Sequence, residues 1–144
     1  MAQFSRYNGV INNAYLYSTV GNQFASYTVS ASVVTADATG NKWLNRGVLM
    51  AKITVGAEAN KVGPYDANAW DGRQTSTNIV GYNDTFCQLR RATLDVDKDV
   101  GVLYRGTVTA AQVIVYSSGT PTQGDPGATI QGYCRTASMH ILHK

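Results

Sequence analysis

The stretch that decides the fold is Gly47-Val-Leu-Met-Ala-Lys-Ile-Thr-Val55, which has a counterpart later in the chain in Val100-Gly-Val-Leu-Tyr-Arg-Gly-Thr-Val108. Both runs place apolar residues beside a glycine, and the first alternates only loosely between apolar and polar residues. Such runs are typical of strands in a compact β scaffold, where glycine permits turns and close approach of two backbones. Neither run contains a pattern of catalytic residues, so the sequence predicts that function lies in surfaces.

The amino-acid composition favours a small, mainly β domain. The 144 residues are enough for one domain with a real core, and they include 15 Val, 15 Thr and 6 Ile against 7 Leu. β-branched side chains fit a pleated surface better than a helix. The 14 glycines and 9 tyrosines agree with short strands joined by many turns. We expect an N-terminal arm with the first strands at residues 1–40 and a β domain at residues 41–144.

The distribution of charge argues against nucleic-acid binding. The net charge is +3, but Arg90-Arg91 is the only adjacent basic pair, and Lys52, Lys61 and Lys98 are scattered. Phosphate recognition needs several clustered cations. Charged residues make up only 15% of the chain, which is typical of a protein that remains bound to a partner.

No targeting or membrane segment is recognisable in the sequence. No apolar stretch approaches the ~20 residues needed to span a bilayer, and the N-terminus lacks a basic region followed by an apolar one. We therefore expect no membrane contact, synthesis in a reducing cytoplasm, and free thiols at Cys87 and Cys134.

Side chains that carry chemistry are sparse, so we expect no enzyme, no cofactor and no metal site. His140 and His143 have i, i+3 spacing at a predicted strand end, where exposed tail histidines are expected. Asp95-Val-Asp97-Lys-Asp99 imitates the start of an EF-hand calcium loop, but Val100 and Gly106 stand where that loop needs Gly and Glu. A charged turn or strand edge is the better interpretation of these aspartates.

The segment of residues 1–40 allows two interpretations, which the sequence leaves open. Alternation over residues 27–33 predicts a half-buried strand, while Asn8-Gly9 and the segment that begins at Asp37 predict turns. The segment has too few aliphatic residues to fold alone, so it is either an arm that pairs with another molecule or the first hairpin of the core. The apolar side chains that an arm would use are Phe4, Tyr7, Val10, Ile11, Tyr15, Tyr17, Phe24 and Tyr27.

Three further segments are assigned from local pattern. Residues 117–129 are rich in Gly, Pro, Ser and Thr, which predicts a loop, and residues 109–113 are a candidate for a short helix. We expect a last strand that includes Ile130, Tyr133, Met139, Ile141 and Leu142. Separately, Trp43, Tyr65 and Trp70 could form an aromatic platform for a sugar, although aromatic residues of a core or subunit interface would give the same pattern.

The middle of the chain resembles the family of the head decoration protein of phage lambda. The resemblance rests on Gly47-Val-Leu-Met-Ala-Lys, then Ala69-Trp70-Asp71-Gly72 and Ile79-Val80-Gly81, then Tyr104-Arg105-Gly106-Thr107-Val108. Residues 135–141 resemble the closing strand of that family, so that about residues 42–142 are covered. The family-motif positions are Trp70, Asp71, Gly72, Gly81 and Gly106.

The resemblance implies a β-clip or β-tulip fold with an extended N-terminal arm, and a function in the virion. Members form homotrimers at three-fold positions on the outside of the mature shell, where they contact the major capsid protein and stabilise the capsid. Their arm adds to the capsid in the manner of an extra strand. Two alternatives remain: a carbohydrate-binding β module, or another structural protein of a phage virion.

Overall fold

The computed structural model describes residues 14–91, 93–136 and 139–144. These residues form eleven strands, three 3-10 turns and one α-helix, so the prediction of a mainly β fold is confirmed. The strands are β1 (Gln23–Val29), β2 (Lys42–Leu44), β3 (Leu49–Lys52), β4 (Val62–Pro64), β5 (Ile79–Asn83), β6 (Cys87–Arg91), β7 (Leu94–Asp95), β8 (Lys98–Val108), β9 (Ile114–Ser117), β10 (Thr120–Gln123) and β11 (His140–His143). The α-helix, α1, spans Ala128–Tyr133, and the 3-10 turns span Ala31–Val33, Ser76–Asn78 and Ala110–Gln112.

The main sheet closes on itself to form a small barrel. Its strands run in the order β1-β4-β3-β5-β8-β11, and β1 also pairs with β8. Strands β1, β4, β3, β5 and β8 therefore form a closed ring, and β11 pairs with β8 outside that ring. The β1–β8 pairing is antiparallel and continuous from Phe24, opposite Leu103, to Val29, opposite Lys98. By contrast, β1 meets β4 only where Val29 lies opposite Val62. Strand pairing therefore joins residues on both sides of the predicted boundary at residue 40.

Two smaller sheets lie beside the barrel. Strands β2, β6 and β7 form a three-stranded antiparallel sheet, and β9 forms a hairpin with β10. The hairpin is joined to the rest of the fold by isolated parallel bridges of Ile114 with Val48 and of Tyr116 with Asp66. These bridges place Tyr116 close to the segment that contains the Trp-Asp-Gly motif.

The described residues form two hydrophobic core clusters, which share strands β3 and β8. In β3, Leu49 belongs to the first cluster and Met50 to the second; in β8, Leu103 belongs to the first and Val102 to the second. Successive side chains of a strand point to opposite faces, so β3 at Leu49 and Met50 and β8 at Val102 and Leu103 are buried on both faces. This burial explains why residues 47–55 alternate only loosely between apolar and polar side chains.

The predicted strand over residues 27–33 is wrong beyond Val29. After β1 the chain turns into the 3-10 segment Ala31–Val33. The backbone N–H of Ala31 donates to Asp97 Oδ1 at 2.8 Å, and that of Ser30 donates to the carbonyl of Val62 at 3.0 Å. These two bonds hold the chain in the turn, and a local alternation pattern cannot reveal a partner so distant in sequence.

The predicted loop at residues 117–129 is also wrong, because its first half forms a hairpin. Ser118 and Gly119 both have positive φ, of 49° and 79°, as the central residues of a type I′ turn require. Pro121 is tolerated in β10 because, in the described structure, β10 pairs only with β9 and is an edge strand.

The C-terminal strand is shorter than predicted. Ile130 and Tyr133 lie in α1, and only residues 140–143 form the last strand, with Met139 buried immediately before it. Two local predictions are confirmed: a short helical turn forms within residues 109–113, and the N–H of Gly40 donates to the carbonyl of Asp37 at 3.0 Å.

Candidate functional site

Tyr15 anchors the N-terminal segment in the core. It is fully buried, at 0% exposed, and its hydroxyl donates a hydrogen bond to the carboxylate of Asp84. Arg46 contacts both Tyr15 and Asp84. Its Nη2 lies 2.9 Å from Asp84 Oδ1, and its guanidinium carbon lies 5.7 Å from the centroid of the Tyr15 ring. Burial, and then the Asp84 carboxylate, raise the pKa of Tyr15, so the phenol remains a donor.

The assignment of Tyr15 and Tyr27 to a free arm is wrong. Tyr27 lies in β1 opposite Val100 and packs against the second cluster. The main chain around Tyr15 runs beside the end of β8, because the N–H of Thr109 donates to the carbonyl of Tyr15 at 2.7 Å. Backbone groups in both places already have partners within the domain, so this part of the segment belongs to the core.

Three apolar side chains of the same segment point outward. Tyr17 is 61% exposed, Val20 is 85% exposed and Phe24 is 44% exposed. We call Tyr17, Val20 and Phe24 the N-terminal apolar surface. The sequence analysis missed Val20, since an isolated valine between polar residues carries no periodic signal. The predicted arm residues Phe4, Tyr7, Val10 and Ile11 lie outside the described residues.

The backbone beneath the N-terminal apolar surface is fixed by hydrogen bonds. The N–H of Tyr17 donates to the carbonyl of Thr107 at 3.0 Å, and Asn22 Nδ2 donates to the carbonyl of Ser18 at 2.8 Å. The N–H of Val20 donates to Ser18 Oγ at 3.1 Å. The exposed side chains therefore project from an ordered frame, which lowers the entropy cost of binding through them.

The Trp-Asp-Gly motif forms a turn in which the carboxylate and carbonyl of Asp71 bond to neighbouring segments of the protein. Arg73 Nε donates to both carboxylate oxygens of Asp71 at 3.0 Å, and Arg73 Nη1 donates to the carbonyl of Pro64 at 2.9 Å. The N–H of Thr54 donates to the carbonyl of Asp71 at 2.9 Å. This network leaves Trp70 on the outside of the turn, with 81% of its surface exposed.

Two motif glycines occupy positions where a side chain would not fit. Gly72 has a φ of +107°, and a Cβ there would lie 2.2 Å from Thr54 Oγ1. Gly81 has a φ of +134°, and a Cβ there would lie 1.9 Å from the carbonyl oxygen of Leu103. Gly106 lies in β8 beside Asn22. The motif glycines are thus explained by the close packing of the barrel.

An open groove lies beside Trp70, with a volume of about 460 Å³. Its lining includes Trp70, Glu58, Asp66, Asn68, Arg73 and Tyr116. A smaller groove of about 230 Å³, which contains Trp43 and Asn41, shares Thr35, Tyr116 and Gly119 with the first. Tyr116 therefore lies where the two grooves meet.

The predicted aromatic platform does not form as a single surface. Trp43 stacks on Phe86, with ring centroids 5.6 Å apart, and Tyr65 is a buried member of the first core cluster. Trp70 alone of the three is strongly exposed. Tyr116 contributes to the groove instead, and its role depends on the pairing of β9 with distant segments, for which the sequence offers no local signal.

The aspartates at 95, 97 and 99 turn to different partners, as expected of a charged strand edge. Asp95 pairs with Arg90 and Lys42, Asp97 with Lys61 and the N–H of Ala31, and Asp99 accepts from Thr28 Oγ1. Within the described ranges, no group of three or more His, Cys, Asp or Glu side chains could hold a metal ion.

The expectation of two exposed tail histidines is wrong for His143. His140 is exposed, but His143 is half-buried with its Nε2 2.7 Å from the hydroxyl of Tyr82. Burial, and then the nearby charge of Arg135, lower the pKa of His143. The strand pattern of β11 explains the difference, because its side chains alternate between the two faces. Ile141 and His143 point inward, and His140 points outward.

Both cysteines are free thiols in the structure, and they lie in different parts of the core. Cys134 is fully buried in the first cluster, and Cys87 packs at the edge of the second. Burial raises the pKa of Cys134 to about 12 and that of Cys87 to about 11, so neither is a reactive thiolate at neutral pH.

In comparisons with known proteins, no family model, curated protein or solved structure matches the chain. Among the residues that the structure describes, no helix has the length and apolar character required to traverse a lipid bilayer.

Proposed function

We propose that this chain is a structural protein of a phage virion that binds the outside of the mature capsid and stabilises the shell. Its partners in this proposal are the major capsid protein and two further copies of itself, in a trimer at three-fold positions. The chain would be synthesised in the host cytoplasm and would act on the virion surface without enzymatic activity, a cofactor, nucleic acid or a membrane.

The observation that carries this proposal is the N-terminal apolar surface. Tyr17, Val20 and Phe24 expose large apolar side chains within eight residues of sequence, on a backbone fixed by hydrogen bonds to β8 and to Ser18. Exposed aromatic and aliphatic side chains on an ordered frame are typical of protein-binding surfaces, in which aromatic side chains contribute much of the binding energy. The surface follows directly on Phe4, Tyr7, Val10 and Ile11 in the sequence, which extend the same apolar character.

The second support is the physical fit of the family motif to the fold. The resemblance to head decoration proteins rests on a few glycines and a Trp-Asp-Gly turn, and a motif this short can arise by chance. Gly72 and Gly81 stand at positions where neighbouring atoms of Thr54 and Leu103 leave no room for a Cβ. The motif glycines therefore meet packing requirements of this fold, as the proposed relationship requires.

A trimer gives weak contacts a combined strength. If each copy presents one N-terminal apolar surface to the shell, binding of the first copy raises the effective concentration of the other two. The low charge of the chain agrees with surfaces that are covered in the assembly.

The proposal is tested by cosedimentation of the purified protein with expanded, undecorated phage heads. The triple variant Tyr17→Ser, Val20→Ser, Phe24→Ser should bind at least ~10-fold more weakly than the wild type, because each aromatic anchor contributes roughly 1–2 kcal/mol or more. The control is Leu94→Ser, which changes a 67% exposed leucine in the three-stranded sheet. Equal cosedimentation of the triple variant and the wild type would contradict the proposal, and binding to tails rather than heads would favour another virion component.

A further inference from the structure

The groove beside Trp70 is a second surface with features of its own. It lies between the Trp-Asp-Gly turn and the β9–β10 hairpin, and none of the three residues of the N-terminal apolar surface lines it. Its volume of about 460 Å³ falls within the range of small-molecule sites in proteins. A binding role for this groove is independent of the proposed attachment to capsids.

The hydroxyl of Tyr116 is the feature that points to a ligand. Tyr116 is only 7% exposed, and it lines both grooves. Within the described part of the chain, its hydroxyl has no hydrogen-bond partner, although it is not sealed inside the protein. The ring of Tyr116 is buried while its hydroxyl remains accessible and unpaired, so this hydroxyl is available to a polar group of a ligand.

Other polar groups of the groove are held in place by the protein and can still form hydrogen bonds with a ligand. Asp66 accepts the N–H groups of Asn68, Ser118 and Gly119 at 2.8–3.0 Å, which fixes the hairpin turn against the groove. Arg73 donates through Nε and Nη1 to protein acceptors, so its Nη2 has no partner among the described residues. The groove thus offers both hydrogen-bond donors and acceptors in fixed positions.

The charges of the lining restrict the class of ligand. Glu58, Asp66 and Asp71 contribute three carboxylates, against the guanidinium of Arg73 in the lining and the ammonium of Lys61, which pairs with Glu58 from outside the lining. An excess of negative charge disfavours phosphates and acidic sugars. A ligand with many hydroxyl groups and an apolar ring face would match the polar lining and the exposed indole of Trp70 together.

We propose that this groove binds a short neutral saccharide. The indole of Trp70 stacks against the C–H face of one sugar ring, while the Tyr116 hydroxyl and Arg73 Nη2 hydrogen-bond to sugar hydroxyl groups. This assignment corrects the aromatic platform predicted from the sequence: Trp70 keeps its role, Tyr65 has none, and Tyr116 is the residue that the sequence did not identify.

The test uses the full-length protein on an array of neutral and sialylated glycans, followed by saturation-transfer NMR with lactose, maltotriose and N,N′-diacetylchitobiose. We expect binding to at least one neutral glycan and weaker or no binding to its sialylated form. Trp70→Ala should weaken that binding at least ~10-fold. Tyr116→Phe should weaken it about 3- to 10-fold, as expected for one hydrogen bond, and should leave Tm unchanged.

Tyr116→Phe separates a ligand contact from a structural role, because the phenyl ring keeps its packing and only the hydroxyl is removed. Leu94→Ala, in β7, is the control and should bind glycans like the wild type. The proposal is overturned if no neutral glycan binds, if sialylated glycans bind more tightly, or if both groove variants bind like the wild type. Cosedimentation with heads is measured on the same variants, so that a loss of capsid binding can be told from a loss of glycan binding.

Discussion

Gly81 in β5 approaches Leu103 in β8 so closely that a Cβ on Gly81 would lie 1.9 Å from the carbonyl oxygen of Leu103. The two strands pair where Tyr82 lies opposite Leu103, and this pairing is one of the contacts that close the barrel. Position 81 requires glycine for two reasons: a Cβ would collide with the Leu103 carbonyl, and residues with a side chain rarely adopt a φ of +134°.

Gly81→Ala should therefore be among the most damaging single substitutions in the chain. We expect a loss of at least ~2–3 kcal/mol in the free energy of unfolding, or failure to fold, since the contact is with rigid backbone. Gly101→Ala is the matched control in β8, because a Cβ there meets only Thr85 Oγ1 at 3.8 Å. Urea unfolding of the two variants checks the prediction, which fails if both lose stability equally.

Tyr15 and Tyr17 provide a test of which part of the N-terminal segment is core. Tyr15→Ala should lower the free energy of unfolding by about 3–5 kcal/mol, because it removes a fully buried aromatic ring and leaves Asp84 without its hydroxyl donor. Tyr17→Ala, two residues away, should change it by about 0.5 kcal/mol or less. The measurement is chemical denaturation, and similar losses in the two variants would refute the assignment.

Truncation of the N-terminus separates the described core from the residues before it. Deletion of residues 1–13 keeps Tyr15 and β1, so we expect a cooperative melting transition close to that of the full chain, with weaker binding to heads. Deletion of residues 1–29 removes β1 and its pairing with β8, and should abolish cooperative unfolding. Differential scanning calorimetry distinguishes these results, and a stable Δ1–29 protein would show that β1 is dispensable.

The buried imidazole of His143 predicts a pH dependence of stability. Burial lowers its pKa below the ordinary value of 6.5, so between these two values the unfolded state binds more protons than the folded state. The contribution of the neutral imidazole to the free energy of unfolding is therefore complete above about pH 6.5, and it is lost as the pH falls towards the lowered pKa. Tyr82, Arg135 and Asp125 are the polar and charged groups that act on this side chain.

His143→Gln should flatten the decline in stability as the pH falls below about 6.5, as followed by denaturant unfolding at a series of pH values. His140→Gln is the control, since His140 is exposed on the same strand and should leave the slope unchanged. A slope that depends on His140 but not on His143 would mean that the assignment of the buried histidine is incorrect.

The sequence predicts the strand content of this fold but not its closure. The runs around Leu49 and Leu103 are recognisable as strands because β-branched and apolar residues dominate them. The pairing of β1 with β8 joins residues 69 to 82 positions apart, and no local pattern encodes it. The sequence predicts a strand at Ile130 and Tyr133, where the structure has α1, because six residues are too few for a helical period to emerge.

The candidate surfaces were predictable to different degrees. Tyr17 and Phe24 stand out in the sequence as aromatic residues in a polar segment, but their exposure and the burial of Tyr15 depend on contacts with β8 and Asp84. The groove could not be predicted, because Trp70 and Tyr116 are brought together by long-range contacts of Asp66 with the β9–β10 hairpin.

The most direct test of the central claim is cryo-electron microscopy of expanded phage heads incubated with the purified protein. The proposal predicts added density in the form of trimers at the three-fold positions, with the N-terminal apolar surface of Tyr17, Val20 and Phe24 facing the major capsid protein. Heads that remain bare, or single copies seated with this surface turned away from the shell, would contradict it.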